Sequence, residues 1–281
     1  MARVYFITGS STGIGASLVQ HILDAGHHVF ATARNPSVLQ FSNANEKNFG
    51  VGMLDLENPA SITASFTAAI AKFGRVDVVI NNGGYGLSGP FEDLTEDDIA
   101  RQMNVNFTGV LFCTKAAMKA MRQQEPQGGL IMQVTSIGGR IGFPWMSMYS
   151  ASKFAIEGFT EAVSQEVDPA WGIKFACIEP GGFRTDFFTR SMIYTSPKTS
   201  AYDMSKVKAH LNMVHKGQIG IPAKGAKAIY EISRMETLPK RIILGSDAYN
   251  WLDGYLEELQ KELHANKEIS FSTDADDKTD K

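Results

Sequence analysis

The stretch "VYFITGSSTGIG", residues 4–15, joins a short apolar run to a glycine-rich turn. Gly9, Gly13 and Gly15 lie between this strand-like run and an amphipathic helical stretch at 13–25. Glycines at such a turn let the backbone approach a pyrophosphate, whose negative charge then meets the N-terminus of the helix. The spacing G-x-x-x-G-x-G predicts a strand–turn–helix unit that binds a dinucleotide, with Ser11 and Ile14 as further contacts in the turn.

The same alternation of strand and helix continues along the chain. Helical stretches at 13–25, 59–73, 95–123, 149–168, 222–235 and 247–264 separate seven β-rich apolar runs, at 4–8, 28–33, 49–54, 76–81, 130–135, 173–178 and 241–245. Several runs are apolar on both faces, as parallel strands covered by helices on both sides are. The pattern predicts an α/β fold: a single-domain, doubly wound parallel sheet of about seven strands with helices on both faces.

Composition limits the class of protein. The chain has 281 residues, of which 43% are hydrophobic and 20% charged, and its net charge is −3. These values are typical of a globular domain with a full core and disfavour nucleic-acid binding, which calls for a basic surface. We predict one domain over residues 1–265 and a disordered acidic tail over 266–281.

Location is predicted from the same features. The strand-like run that starts at Arg3 leaves no apolar core for a signal peptide, and no stretch of about 20 apolar residues is present to span a membrane. The two cysteines, Cys113 and Cys177, lie in apolar contexts and are expected to be buried free thiols. We therefore expect a cytoplasmic location.

Small polar residues and glycines follow most of the predicted strands. "GSSTGIG" follows the first strand, "NGGYG" the fourth, "SIGGRIG" the fifth and "EPGG" the sixth. Ligands of open α/β sheets bind at the carboxyl ends of the strands, so these segments predict one site at that edge of the sheet.

The second strand carries the signal for the choice of nucleotide. Sites for NAD usually place an acid at the end of this strand to bind the ribose 2′-hydroxyl, whereas sites for NADP offer an arginine. The strand ends "ATARNP", with Ala33 at the acid position and Arg34 beside it. We therefore predict a preference for NADP(H) over NAD(H). Asp55 and Leu56, after the third strand, are predicted to contact the adenine.

A tyrosine and a lysine are four residues apart in "MYSASKFAIEG", residues 148–158, and the spacing recurs at "YTSPK" (194–198) and "YDMSK" (202–206). On a helix, this spacing places Tyr149 and Lys153 on one face. A free tyrosine, with a pKa near 10, is a poor base at neutral pH. An ammonium about 4 Å away is worth about 4 kcal/mol to the phenolate at an effective dielectric constant near 20, so we expect Lys153 to lower the pKa of Tyr149 by up to about 3.

Together these motifs resemble the short-chain dehydrogenase/reductase family, the compact branch with one Rossmann domain. The resemblance runs from "TGSSTGIG" through "NNGGYG", "NVNFTG", "SIGG" and "YSASK" to "PGGFRT". In that family the catalytic tyrosine follows a serine by about thirteen residues. Counting back gives Ser136 from Tyr149, but Gly181 from Tyr194 and Thr189 from Tyr202, and Pro197 interrupts any helix at "YTSPK". Only the first copy fits.

The resemblance implies roles for four catalytic residues. Tyr149 would act as general acid/base, and Ser136 would orient the substrate oxygen against it. Lys153 would also bind the nicotinamide ribose. Asn106 would hold a backbone kink and a water that links Lys153 to solvent as a proton relay.

The resemblance also implies further cofactor contacts. "NNGG" (81–84) resembles the family's Asn-Asn-Ala-Gly, which lies beside the adenine ribose, so Asn82 and Gly83 are expected there, with Gly83 in place of the usual alanine. "PGGFRT" resembles the turn in which the Phe183 backbone and Thr185 meet the carboxamide. The cofactor contacts expected in this turn are Pro180, Gly181, Phe183 and Thr185. No metal is predicted.

The segment 186–221 is long for a connection and is predicted to be a substrate lid. Its aromatic and methionine side chains, with Phe143, Trp145 and Met146, either pack the lid onto the core or form an apolar pocket for a bulky lipophilic alcohol or carbonyl. "VFATAR" and "NNGGYG" resemble the subgroup of 17β-hydroxysteroid and retinol dehydrogenases.

The predicted function is an NADP(H)-dependent oxidoreductase that moves a hydride between nicotinamide and a carbonyl or secondary alcohol of a small molecule. Two alternatives stay open: a different reaction on the same site, such as an epimerisation or dehydration, and a non-catalytic NADP-binding sensor. The resemblance also implies a homodimer or homotetramer, paired through helices around 104–123 and 149–168.

Overall fold

The computed structural model describes residues 2–195, 199 and 201–275, which form nine strands and nine helices. The strands are β1 (Val4–Ile7), β2 (His28–Ala33), β3 (Phe49–Met53), β4 (Val78–Asn81), β5 (Gly86–Ser88), β6 (Gly129–Val134), β7 (Ile173–Pro180), β8 (Met192–Tyr194) and β9 (Arg241–Leu244). The helices are α1 (Gly13–Asp24), α2 (Pro59–Phe73), α3 (Glu96–Met103), α4 (Gly109–Gln123), α5 (Ser147–Glu166), α6 (Met204–Lys216), α7 (Pro222–Ile232), α8 (Ser246–Ala265) and α9 (Lys267–Phe271).

Seven of the strands form one parallel sheet in the order β3-β2-β1-β4-β6-β7-β9. From β1, the chain adds β2 and β3 on one side and then β4, β6, β7 and β9 on the other. The strand order therefore reverses between β1 and β4. Tyr5 of β1 fixes the register on both sides, lying opposite Val29 of β2 and Val78 of β4. The predicted doubly wound parallel sheet is confirmed, and the reversal is where such sheets open a crevice for ligands.

Alternate residues of the strands point to two separate cores. On one face, Tyr5 and Ile7 pack in a cluster with residues of α1 and α7. On the other, Phe6 stacks on Phe30 and on Phe66 of α2, with ring centroids 5.7 and 4.1 Å apart. Residues of α4 and α5 complete this second cluster. Both faces of the sheet are therefore dry, which explains the continuous apolar runs in the sequence.

The structure differs from the prediction in the middle of the chain. The helical stretch predicted over 95–123 is two helices, α3 and α4, joined by a π-helical turn at Asn104–Thr108. The predicted lid contains helix α6 and strand β8, and β8 pairs with β5 in a small parallel sheet. Strands of three residues carry too few side chains for a pattern to show.

The C-terminal segment also differs from a featureless tail. Helix α9 lies inside the predicted disordered stretch and follows α8 after a single residue, Asn266. Residues 276–281 lie outside the described part of the chain. None of the helices within the described residues is long and apolar enough to cross a membrane.

Both cysteines are free and buried, as the sequence predicted. Burial raises the pKa of the Cys113 thiol to about 12. Burial is also the main reason that the pKa of Cys177 is raised.

Candidate active site

A cavity of about 770 Å³ opens at the carboxyl ends of the large sheet, across the reversal between β1 and β4. It brings together segments that lie far apart in the sequence. Most of the predicted site residues line it: Gly9, Ser11, Gly13, Ile14, Arg34, Asp55, Leu56, Asn82, Gly83, Ser136, Tyr149, Lys153, Pro180, Gly181, Phe183 and Thr185. Two predicted residues, Gly15 and Asn106, do not line the cavity but lie next to residues that do.

The glycine-rich turn between β1 and α1 needs its glycines. Gly9 and Gly13 have φ angles of 68° and 59°, in the left-handed region that side chains disfavour. A β-carbon at Gly15 would collide with the carbonyl oxygen of Gly9. The amide of Asn82 donates to the carbonyl oxygens of Thr8 and Gly9, both at 3.1 Å, and so ties the turn to the end of β4.

Gly83 also contacts this turn. Its N–H donates to the Thr8 hydroxyl at 2.9 Å. A β-carbon at this position would lie 3.1 Å from the Leu56 side chain, so the glycine leaves room where the resembled family has alanine.

The end of β2 presents a cation to the cavity. Ala33 is 8% exposed, and Arg34 beside it is exposed on the cavity wall. Within the described residues the Arg34 side chain makes no hydrogen bond or ion pair, which leaves its guanidinium available to an anion. Asp55 also lines the cavity, and its carboxylate accepts the Glu57 N–H at 3.1 Å, a contact within the same turn.

Ser136, Tyr149 and Lys153 converge at one side of the cavity. The Ser136 hydroxyl accepts the Gly138 N–H at 3.0 Å and is hydrogen-bonded to the phenol of Tyr149. Tyr149 and Lys153 lie on the buried face of α5, 8% and 6% exposed. The Lys153 ammonium lies 5.8 Å from the centroid of the Tyr149 ring and donates to the Val134 carbonyl at 3.0 Å.

Burial dominates the protonation of this group. It raises the pKa of Tyr149, and the hydrogen bond with Ser136 opposes the rise only in part. Burial also lowers the pKa of Lys153 to about 8, although the nearby Glu157 carboxylate favours its charged form. The expectation that Lys153 lowers the pKa of Tyr149 is wrong for the protein by itself: burial raises the pKa of Tyr149, and Lys153 is not among the groups that shift it.

A buried carboxylate supports Lys153 from the next turn of α5. Glu157 accepts a hydrogen bond from the Thr135 hydroxyl at 2.6 Å and another from the Arg241 guanidinium at 3.0 Å. Thr135 directly precedes Ser136, so this contact joins α5 to the end of β6. Arg241 also bonds Glu161 at 2.7 Å, on the exposed side of the helix.

Asn106 lies in the π-helical turn between α3 and α4. Its side chain accepts the Tyr85 N–H at 3.0 Å, and donates to the Tyr85 carbonyl at 2.9 Å and to the Ser152 hydroxyl at 3.2 Å. π-Helical turns interrupt the regular helix and often lie at functional sites. Asn106 thus fastens this kink to the segment after β4 and to α5.

The turn after β7 closes the cavity from the far side. The Gly182 N–H donates to the Asp247 carboxylate of α8 at 2.8 Å. A β-carbon at Gly13 would lie 3.2 Å from the Thr185 side chain, so this turn faces the glycine-rich turn across the cavity. The Phe183 ring packs against Gly220: a β-carbon at Gly220 would lie only 2.8 Å from that ring.

The remaining end of the cavity is apolar. Met146, Tyr149 and Met192 form a buried cluster against which the rings of Phe143, Phe187 and Phe188 pack. The Phe187 ring lies 5.6 Å from that of Tyr149. Trp251 of α8 meets Phe143 edge to face at 5.9 Å and also lines the cavity.

The structure also places the two other tyrosine–lysine repeats. Tyr194 lies in strand β8, half exposed, with its hydroxyl on the Phe188 carbonyl at 2.7 Å. Tyr202 precedes α6 and meets Trp145 edge to face. Pro197 and Lys198 lie outside the described residues. Neither tyrosine is on a helix beside a serine, in contrast to Tyr149.

Sequence reasoning missed several residues of this site. Glu157 had a signal, because it lies four residues after Lys153 and so on the same face of the helix. Arg241, Asp247 and Trp251 had none, since they come from β9 and α8, late in the chain, and reach the site only through the fold.

Comparison with known proteins finds similar sequences and similar folds. Residues 3–193 match the family model described as short chain dehydrogenase. A short-chain dehydrogenase from Streptomyces avermitilis superimposes with a TM-score of 0.87 at 32% identity, over 98% of this chain and 100% of that one. The structure of ElxO with NADP bound is 26% identical, with a TM-score of 0.69, over 87% of this chain and 96% of that one. The 3-ketodihydrosphingosine reductase of Bacteroides thetaiotaomicron is 40% identical over 188 residues, which are 66% of this chain and 65% of that protein.

Proposed function

Because the chain belongs to the short-chain dehydrogenase family, we propose that it is an NADP(H)-dependent oxidoreductase that transfers a hydride between nicotinamide and a carbonyl or secondary alcohol. The observation that carries the proposal is the convergence of Ser136, Tyr149 and Lys153 beside a glycine-rich turn in one cavity. Reduction of a carbonyl needs a hydride donor and a proton donor; a reduced nicotinamide would supply the hydride and Tyr149 the proton.

The residues fit a dinucleotide. The glycines of the turn between β1 and α1 carry no side chains that would cover the backbone, so a pyrophosphate can approach it closely. Arg34, without a partner among the described residues, suits the 2′-phosphate that distinguishes NADP from NAD. Bound there, the nicotinamide would supply or accept the hydride.

The protein's own groups would handle the proton. Tyr149 gives its phenolic proton to the oxygen of a reduced carbonyl, or takes one from an alcohol, and Ser136 holds that oxygen in place. A protonated Lys153 stabilises the phenolate that remains. Asn106, next to Ser152 and Tyr85, would hold the kink and the water that return a proton to Lys153.

The substrate is proposed to be lipophilic. The cavity wall next to Tyr149 consists of methionine and phenylalanine side chains, including Met146, Phe143 and Phe187. Apolar walls with a few placed polar groups are typical of pockets for hydrophobic small molecules. The relative named 3-ketodihydrosphingosine reductase supports this class. A cytoplasmic homodimer or homotetramer belongs to the same proposal.

The test follows the oxidation of NADPH, and of NADH in parallel, with a panel of lipophilic ketones and aldehydes. We expect turnover that favours NADPH, and a loss of about 10²- to 10⁴-fold in kcat/KM for Tyr149→Phe, because that variant has no proton to give. Tyr230→Phe is the matched control: it loses one phenol hydroxyl, hydrogen-bonded to His27 at 3.1 Å, away from the cavity.

Three outcomes would contradict parts of the proposal. Faster turnover with NADH would reject the role of Arg34. Unchanged turnover by Tyr149→Phe would reject Tyr149 as the proton donor. Isotope from labelled NADPH that fails to appear in the product would reject net reduction and favour another reaction on the same site.

A further inference from the structure

One buried polar side chain of the cavity wall lacks a partner. Gln218 lines the cavity and is 6% exposed. Within the described residues, its side-chain amide makes no hydrogen bond. A buried amide without a partner destabilises a fold, so an amide in this position points to a group that enters the cavity and binds it.

Gln218 also breaks an apolar pattern. Leu211, Val214 and Gln218 all line the cavity. They are spaced by three and four residues, so they lie on one side of α6 and of the turn that ends it. The first two are apolar, and an apolar residue at 218 would complete the wall. The amide instead adds one polar group to it.

The main chain around Gln218 is fixed on the turn after β7. The Arg184 guanidinium donates to the Gln218 carbonyl at 2.9 Å. The Gly220 N–H donates to the Gly182 carbonyl at 2.8 Å, and the Arg184 N–H donates to the Gly220 carbonyl at 2.9 Å. Because these contacts hold the backbone, the amide is positioned before a ligand arrives, which reduces the entropy lost on binding.

A carboxylate lies beside the same turn. Asp247 of α8 lines the cavity, and its Oδ2 accepts the Gly182 N–H at 2.8 Å. Its Oδ1 is buried and has no hydrogen-bond partner in the described part of the chain. A β-carbon at Gly182 would lie 3.2 Å from Oδ2 of Asp247 and 3.5 Å from Cγ of Gln218. Glycine at this position therefore leaves a gap between the carboxylate and the amide.

An apolar wall connects this pair of side chains with the proposed proton donor. Trp251 lies one helical turn after Asp247 and also lines the cavity. Its ring meets that of Phe143 at 5.9 Å, and Phe143 packs against the cluster that contains Tyr149. One substrate with an apolar body can therefore extend from Tyr149 to the pair.

Resting on the proposed function, we propose that Gln218 and Asp247 form a subsite for a second polar group of the substrate, a hydroxyl or an amino group. Both groups donate a hydrogen bond, which an ionised carboxylate needs because it can only accept. The Gln218 amide donates to a hydroxyl oxygen through its NH₂, or accepts from an amine through its oxygen. The substrate class is then a lipophilic ketone or aldehyde with a hydroxyl or amino substituent away from the reacting carbonyl.

The experiment measures binding without turnover, in Tyr149→Phe saturated with NADPH. Isothermal titration calorimetry compares 2-dodecanone with analogues that carry a hydroxyl or an amine at successive positions along the chain. We expect at least one substituted ketone to bind about tenfold more tightly than 2-dodecanone, because only the substituted ketone pairs the buried polar groups. The substituent that gives the larger gain identifies the group that the subsite takes.

Gln218→Met, made in the same background, keeps the length of the side chain and removes its hydrogen bonds. It should abolish the gain and leave the affinities for 2-dodecanone and for NADPH unchanged. Since the amide has no partner among the described residues, the thermal midpoint without ligands should not fall. Gln123→Met makes the same change at the exposed end of α4, outside the cavity, and should retain the gain.

Equal affinities for all the ketones, or a gain that survives Gln218→Met, would overturn the proposal. A lower thermal midpoint of Gln218→Met would assign the amide a structural role, and weaker binding of NADPH would assign it to the nucleotide. Either result overturns the subsite. A wild type that reduces none of these ketones, while the gain in affinity is present, would contradict the proposed function and leave the subsite supported.

Discussion

Lys153 is the residue whose protonation is most finely balanced in this protein. Its pKa of about 8 means that it is charged at neutral pH and loses its proton in the mildly alkaline range, well below an ordinary lysine. The Tyr149 phenol keeps its proton through that range, because burial raises its pKa. In the proposed reduction, Lys153 therefore loses its active form first as the pH rises.

Glu157→Gln should change the protonation equilibrium of Lys153. Its carboxylate favours the charged form of Lys153, so removing the charge lowers the pKa of Lys153 further. We expect the alkaline limb of the kcat/KM profile for carbonyl reduction to shift to lower pH by about one unit, since kcat/KM reports the free enzyme. The glutamine keeps the shape of the side chain and an oxygen for the Thr135 hydroxyl.

Glu161→Gln is the matched control, because Glu161 binds the same Arg241 from the exposed side of α5. Its profile should coincide with that of the wild type. Equal shifts in the two variants would show that loss of the Arg241 ion pairs, and not the charge next to Lys153, moves the limb.

At the scale of elements, the small sheet of β5 and β8 fastens the predicted lid segment beside the cavity. Gly86 pairs with Met192, and the Gly86 N–H donates to the Ser191 carbonyl at 2.8 Å. The thioether of Met192 occupies the space that a side chain at Gly86 would need: a β-carbon would lie 2.6 Å from its sulfur. Met192 in turn packs in the cluster around Tyr149.

Gly86→Ala should therefore displace Met192 from the apolar cluster around Tyr149. The clashing atoms are the far end of the flexible Met192 side chain, which can move aside at little cost in stability. We expect KM for the carbonyl substrate to rise about five- to tenfold, while the dissociation constant of NADPH, measured by fluorescence titration, stays unchanged. Gly142→Ala is the control, because a β-carbon there has no neighbour within 4 Å. A weaker affinity for NADPH in Gly86→Ala would contradict a role confined to the lid.

Elements differ in how far the sequence predicts them. The seven long strands were predictable because burial on both faces leaves runs of apolar residues. The π-helical turn was not, because Asn104–Thr108 continues the helical pattern and the turn is fixed by the contacts of Asn106 with Tyr85 and Ser152. Helix α6 was not predicted either, because it lies within the segment interpreted as a connecting lid.

At the scale of the whole molecule, the site exists because the strand order reverses between β1 and β4. Local motifs predicted the glycine-rich turn, Ser136, Tyr149 and Lys153, since each has its own spacing. The contacts around Lys153 could not be predicted from such motifs. Thr135, Glu157 and Arg241 come from three separate parts of the chain that only the folded sheet brings together. The raised pKa of Tyr149 was missed for the same reason, because burial is a property of the fold.

A ligand that contacts segments from both halves of the sheet should stabilise the whole chain. At a concentration of NADPH one hundred times its dissociation constant, linkage predicts about 2.7 kcal/mol. For a chain of this size, that should raise the thermal midpoint by about 5–10 °C. NADH at the same concentration should raise it less.

Arg34→Ala separates the contribution of the 2′-phosphate. Arg34 is exposed and has no partner among the described residues, so the midpoint without nucleotide should not change. The advantage of NADPH over NADH should vanish, with a loss of affinity for NADPH of about ten- to hundredfold. An advantage that persists in Arg34→Ala would place the recognition of the phosphate elsewhere.

The burial of both cysteines makes the protein a convenient background for spectroscopy. Cys113 and Cys177 are 0% and 2% exposed, and their raised pKa values leave almost no thiolate at neutral pH. Maleimide dyes and nitroxide spin labels, which attack thiolates, will therefore pass over both native residues. A single cysteine placed at an exposed position of α8 would carry the only reactive sulfur within the described chain, so a probe could be attached there alone without first removing a native residue.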